Sequence, residues 1–280
     1  MFMPCPYPIT FLGGKEMSLF LTYFRLAFKD RYAYKFDFYI SIIASIMVLF
    51  VQVNVWQALY RSSSLNTNTV NVGQMITYVF ISSVLFNLTR SEAAGKIGRK
   101  VEDGSIVADF IRPVNFKNYV FAEDLGSNVF QVLFITLPAV LIGILCYGVE
   151  IPISMDMCIL FLGSVLLGVL ISFYIKYIIA LFVFWLETSW YIPFFVGAVF
   201  ELFSGSTIPL WFYPGWLQNI SMVLPFRLTF FEPISIYLGN RTWGDAWGII
   251  AVQFVWLIVL YVFERLVWWR AKQKVVVHGG

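Results

Sequence analysis

Four residues in this 280-residue chain have types and settings that could do chemistry: the adjacent carboxylates Glu123 and Asp124, and two lone charges in apolar runs, Lys176 and Glu201. Adjacent carboxylates can act as general acid and base. A charge within an apolar run is costly unless it is protonated, paired or turned toward a polar cavity, and so marks a conformational or transport role or a neutral, hydrogen-bonded structural one. The groups that would complete an enzyme are missing. The only histidine, His278, sits in the final residues, and Cys5, Cys146 and Cys158 show no metal-ligand spacing, which makes them reduced packing residues. No G-x-x-x-x-G-K-[ST] loop, Ser–His or Cys–His set, or Gly-rich dinucleotide fingerprint occurs. An enzyme acting on lipid through Glu123 and Asp124 is therefore the weakest reading. Any work the chain does draws its energy from elsewhere.

The elements that hold these residues are membrane spans. Sixty per cent of the chain is apolar and only 12% charged, against roughly 25% charged in soluble domains. The net charge of +3 is too small for a nucleic-acid footprint. A span needs about 20 apolar residues, and six candidates run over 36–59, 70–89, 119–147, 157–186, 190–204 and 246–267, the fifth of them short. Fifteen of the nineteen lysines and arginines fall before the first span, between spans two and three, or at the exit of the sixth and in the tail. The positive-inside rule then puts both termini in the cytoplasm. Residues 1–17, broken by Pro4, Pro6 and Pro8, are expected to form a disordered leader, and 18–280 a single transmembrane domain. The fold class is all-α membrane protein: six transmembrane helices, an N-terminal amphipathic interfacial helix, a cytoplasmic excursion and an outer re-entrant hairpin.

Phe20, Phe24, Ala27 and Phe28 recur at helical spacing while Arg25 and Lys29 lie on another face, as in a helix lying in the membrane interface. Between spans two and three, Ala93, Ile97 and Val101 form a narrow apolar stripe, Asp103-Gly104 signals a turn, and Ile106, Phe110 and Ile111 resume helical spacing until Pro113. Such a helix–turn–helix excursion lies on the membrane surface or offers its stripe to a partner's groove. After span five, Pro209, Pro214 and Pro225 punctuate a Trp- and Tyr-bearing stretch too short to cross, which reads as a re-entrant or interfacial helix on the outer side. Lys176 can snorkel to the headgroups, Glu123 and Asp124 can pair with Lys117 or Arg112, and Ser164 with Gly168 permits close helix packing, within the chain or between subunits.

On these segments the chain resembles the permease subunits of ABC type-2 exporters. The resemblance rests on the N-terminal helix, on Lys100-Val101-Glu102-Asp103-Gly104-Ser105-Ile106 with Phe110-Ile111-Arg112-Pro113, and on Gly205…Ile208-Pro209-Leu210…Pro214…Trp216-Leu217…Leu224-Pro225-Phe226. Val101 stands where the family commonly has Ile, and Phe110-Ile111 where it has Leu-Leu. The resemblance implies an exporter of amphipathic or hydrophobic compounds (drug, lipid or peptide) in the bacterial plasma (inner) membrane. It implies separate ABC ATPase subunits that bind ATP and Mg, no cofactor in this chain, and a second permease, identical or related, forming a dimer among membrane lipid. ATPase coupling would fall to Glu92, Ile97 and Arg99, to Val101, Glu102, Gly104 and Ile106, and to Phe110, Arg112 and Pro113. The outer hairpin and gate would comprise Glu201, Gly205, Pro209, Pro214, Trp216 and Pro225. The alternative is a stand-alone transporter or channel driven by an ion gradient, with Glu201 and Lys176 as coupling groups; the absence of an internal repeat disfavours it.

Overall fold

A helix that is apolar on every face is one whose outer surface meets lipid. Several long helices of this chain, though not the first, are of that kind. The structure, a computed structural model, describes residues 13–33, 35–62, 70–111, 115–150, 155–186 and 190–278. In chain order these form α1 (Gly13–Ala33), α2 (Lys35–Arg61), α3 (Val72–Leu88), α4 (Ala93–Glu102), α5 (Ile106–Ile111), α6 (Phe116–Gln131) and α7 (Leu137–Tyr147). Then come α8 (Met155–Leu181), α9 (Ile192–Ser204), α10 (Gly215–Val223), α11 (Phe231–Tyr237) and α12 (Trp243–His278), with no strand among the described residues. Ile43, Met47 and Phe50 on α2 and Val255, Ile258 and Val262 on α12 stand exposed, a surface that only lipid solvates well.

Five stretches are long and apolar enough to cross a membrane: Phe36–Arg61, Val72–Glu102, Phe116–Tyr147, Met155–Trp185 and Trp243–Lys274. They coincide with five of the six expected spans. The remaining one, expected at 190–204, is the 13-residue α9, about 20 Å long at 1.5 Å per residue. That is short of a hydrocarbon core of about 30 Å. The leader expected at 1–17 falls outside the described residues as far as 12, and 13–17 already belong to α1.

Local chemistry sets the boundaries. Asn71 and Gln74 cap α3 reciprocally, the Asn71 side chain accepting from Gln74 N at 2.8 Å and the Gln74 side chain accepting from Asn71 N at 3.1 Å. Between α6 and α7 the helix widens into a π-helical stretch over Val132–Thr136, just before Pro138. Proline has no N–H and its ring crowds the preceding turn, so the chain takes one wider turn instead of breaking. The aromatic stripe of α1 packs on α6, with Phe20 against Phe121 and Phe28 against Phe130. Gly126 is what allows this approach, because a Cβ there would lie 2.4 Å from the Phe24 carbonyl oxygen. The outward face of α1 keeps Leu21, Arg25, Leu26 and Lys29 exposed.

Ser164 and Gly168, read as a close-packing pair, serve an intramolecular contact. A Cβ on Gly168 would meet the Leu228 carbonyl at 3.1 Å, so the short 3-10 turn Pro225–Thr229 presses its backbone onto α8. Gln253 of α12 donates to both Ser164 O and Leu228 O at 2.9 Å. The chain between α9 and α12 is thus bonded near the middle of α8 and α12.

Candidate functional site

A helix ends with four carbonyls and begins with four N–H groups lacking intrahelical partners. The joint between α3 and α4 is where those groups meet polar side chains from elsewhere. Asn128 of α6 donates to Leu88 O at 2.9 Å and to Arg90 O at 2.6 Å. Lys176 of α8 donates to Thr89 O at 2.6 Å and lies 4.4 Å from the Phe200 ring centre. Ser91 donates to Asp124 at 2.5 Å, and Asp124 also takes the Glu92 N–H at 3.4 Å. Lys96 pairs with Glu123 at 3.1 Å and Arg31 of α1 with Glu92 at 2.6 Å. Three helices, α1, α6 and α8, are pinned to one elbow.

These partners differ from the expected ones. Lys176 is held by a helix-end carbonyl instead of snorkelling. Glu123 and Asp124 bond α4 and its lead-in, and Lys117 pairs with Glu264 at 3.2 Å on α12. Both carboxylates have structural work, which leaves little for acid–base chemistry.

The apolar stripe of α4 points the other way from a docking face. Ile97 is 1% exposed, and Ala93, Ala94 and Gly98 are buried with it against α8, α9 and the 3-10 turn Phe182–Trp185. The stripe, expected to lie on the membrane surface or in a partner's groove, packs on the chain's own helices: small and β-branched residues weld α4 onto the body. What α4 leaves outside is Arg99 and Glu102, followed by the turn at Asp103, Gly104 and Ser105. Gly104 has φ +74°, a left-handed conformation that favours glycine. Asp103 accepts from Ser105 N at 2.9 Å, and its hydrogen bonds to the Ser105 side chain and backbone hold its carboxyl below the usual range. Val101 is half-buried and Ile106 buried. Lys100 closes α4 onto α5 through Asp109 at 2.5 Å. Phe110 lies on α5, while Arg112 and Pro113 fall outside the described residues.

At the other end of the set, α9 stops at Gly205, whose φ of +77° turns the chain. Its carbonyl accepts from the Tyr78 hydroxyl at 2.5 Å, and Ser82 donates to Ser206 O. These α3 residues stand six and ten positions beyond Val72, about 9 and 15 Å along the axis. The non-helical finish after α9 therefore runs beside the interior of α3. Pro209 and Pro225 are buried there, whereas Pro214 and Trp216 are exposed. Proline brings no N–H that would need a partner when buried, a physical reason for Pro209 and Pro225 here.

Sequence reasoning missed Glu232. It is fully buried on α11, one carboxylate oxygen bonded by Arg227 and the other by Arg241, whose Nη2 lies at 2.8 Å. An isolated carboxylate in an apolar run flanked by two arginines was the available signal.

Glu201 faces open space. A cavity of about 430 Å³ lies between α2, α3 and the end of α9, lined by Ser45, Gln52, Ser83, Asn87, Arg90 and Glu201 among others. A neighbouring cavity of about 420 Å³ shares Phe86, Arg90, Glu201 and Ser206 with it and adds Lys176 and Phe200. Of the expected gate residues, only Glu201 lines them.

Five stretches long and apolar enough to cross a membrane, with a groove walled by hydroxyl and amide groups beside α2, α3 and α9, point to a multi-pass membrane protein. Residues 42–279 match the family described as ABC-2 family transporter protein. The chain belongs to that family. No curated relative matches it.

Proposed function

We propose that this chain is the transmembrane subunit of an ATP-driven exporter that moves an amphipathic or hydrophobic compound across the bacterial plasma membrane. Separate ABC ATPase subunits bind ATP and Mg and hydrolyse the nucleotide, and a second permease, identical or related, completes the pathway. The termini and the elbow face the cytoplasm, in keeping with the lysines and arginines gathered there. Six crossings result, α9 and its non-helical finish forming the fifth and the segment through α10 and α11 an outer re-entrant hairpin.

The observation that carries this reading is the elbow: exposed charges at Arg99 and Glu102 on a helix whose other face is locked to α1, α6, α8 and α9. A ligand biases a conformational equilibrium only by binding its two states differently. ATP, held by the partner, supplies that difference. Its closure pushes on Arg99, Glu102 and the Gly104 turn, and Ile97 transmits the push to α9, which bears Glu201 at the groove.

Two variants separate docking from packing. Arg99→Glu should leave a monodisperse permease whose affinity for the ATPase falls roughly ten-fold, the scale of one interfacial charge. Ile97→Asp should damage the permease itself, because it buries an unpaired charge at several kcal/mol; its soluble, monodisperse yield should fall before docking is measured. Copurification with the ATPase and size-exclusion profiles read both. Cargo movement down a proton gradient in liposomes free of any ATPase would refute the exporter reading.

A further inference from the structure

Arg90 and Glu201 face the same two cavities with opposite charges, yet among the described residues neither side chain makes a salt bridge or a hydrogen bond. The carboxylates near Arg90 are engaged elsewhere: Glu92 with Arg31, Asp124 with Ser91 and the Glu92 N–H. Lys176 is likewise engaged, on Thr89 O. The rest of the polar lining is uncharged, including Ser45, Gln52, Ser83, Asn87, Gln131 and Thr207. Aromatic and aliphatic surface adjoins it at Phe86, Val196 and Phe200.

We infer that the groove accepts a zwitterionic amphiphile, its ammonium group on Glu201, its anionic group on Arg90 and its tail along Phe86, Val196 and Phe200. This rests on reading the groove as the path of the cargo. Arg90 and Glu201 are both exposed where they line the cavities, so each is open to a counter-charge on a ligand, and the fold keeps the two charges without joining them. A cationic ligand satisfies Glu201 and is repelled by Arg90, an anionic ligand does the reverse, and a neutral one answers neither. Only a ligand with both charges satisfies both. A volume near 430 Å³ suits a polar head with part of a chain, within the roughly 300–1,000 Å³ of small-molecule sites.

The test is equilibrium binding to the purified chain in nanodiscs with three probes sharing one dodecyl tail, each below its micellar concentration: dodecylphosphocholine, dodecyltrimethylammonium and dodecyl phosphate. The zwitterion should bind at least ten-fold tighter than either singly charged probe, as one charged hydrogen bond implies. Glu201→Gln should erase its advantage over the anion, and Arg90→Gln its advantage over the cation. Phosphocholine without a tail distinguishes the sources: weak competition assigns the site to a lipid-like molecule, strong competition to a water-borne zwitterion, with the charge rule upheld in both. Equal binding of the three probes to the unmodified chain overturns the inference and needs no variant. So does a disulfide between Cys replacements of Arg90 in one copy and Glu201 in another, since the charges would then neutralise each other across a dimer. No ATPase takes part, so losing the exporter reading leaves the charge ranking intact, and losing the ranking leaves ATPase copurification intact.

Discussion

Glu232→Ala should lower the stability of the protein by about 3–5 kcal/mol, the range for breaking a buried ion pair from one side. The carboxylate has no exposure and sits between Arg227 and Arg241, whose side chains are 18% and 30% exposed. Arg227 also donates to Met222 O at 2.8 Å, and Arg241 precedes α12 directly. Removing the acid leaves two part-exposed guanidinium groups facing one another with no carboxylate between them. The chain from α10 to α12 should therefore loosen, and the thermal midpoint in nanodiscs should drop sharply. Replacing all three groups by Met and Leu removes the stranded charges as well as the bond, and should recover most of the loss. A Glu232→Ala protein that melts like the parent would mean that the triad contributes nothing.

Gly126→Leu should detach α1. The clash at 2.4 Å is with the Phe24 carbonyl, which is backbone and cannot swing aside as a side chain could. Forcing atoms into a filled contact costs about 1–3 kcal/mol, and here the whole helix must move to relieve it. The ring contacts of Phe20, Phe24 and Phe28 loosen together. Amide hydrogens in 20–28 should exchange about ten-fold to a hundred-fold faster, while those of α8 and α12 keep their rates. Unchanged exchange in α1 would mean that the two helices do not meet at Gly126. Arg31 links the same helix to Glu92 at the elbow, so the variant should also loosen that pair.

The spans were legible because length and apolarity are local properties: five stretches overlap five expected spans, the second running on 13 residues past its expected end at 89. The α4 helix was legible for the same reason, since a four-residue apolar period survives whatever surrounds it. Its direction was not. A stripe records that something covers Ile97, and the covering surface of α8 and α9 lies some 75 to 100 residues further along the chain. Partner choice failed similarly at Lys117, which passes over Glu123 and Asp124 for Glu264 on α12. Glu201 was singled out as a charge in an apolar run, and it is the expected gate residue that lines the cavities. Glu232 has the same signature but lies between the expected hairpin and the last expected span, where no motif was read.

The seam where α9 gives way to irregular chain also sets how tightly the molecule seals. A helical crossing carries its own ladder of bonds, so losing one side chain leaves it closed. Here the phenol of Tyr78 and the hydroxyl of Ser82 occupy the carbonyls of Gly205 and Ser206. With those hydroxyls gone, water is the remaining donor for the two carbonyls, and a file of water through a bilayer conducts. Tyr78 and Ser82 thus keep the two carbonyls satisfied without water.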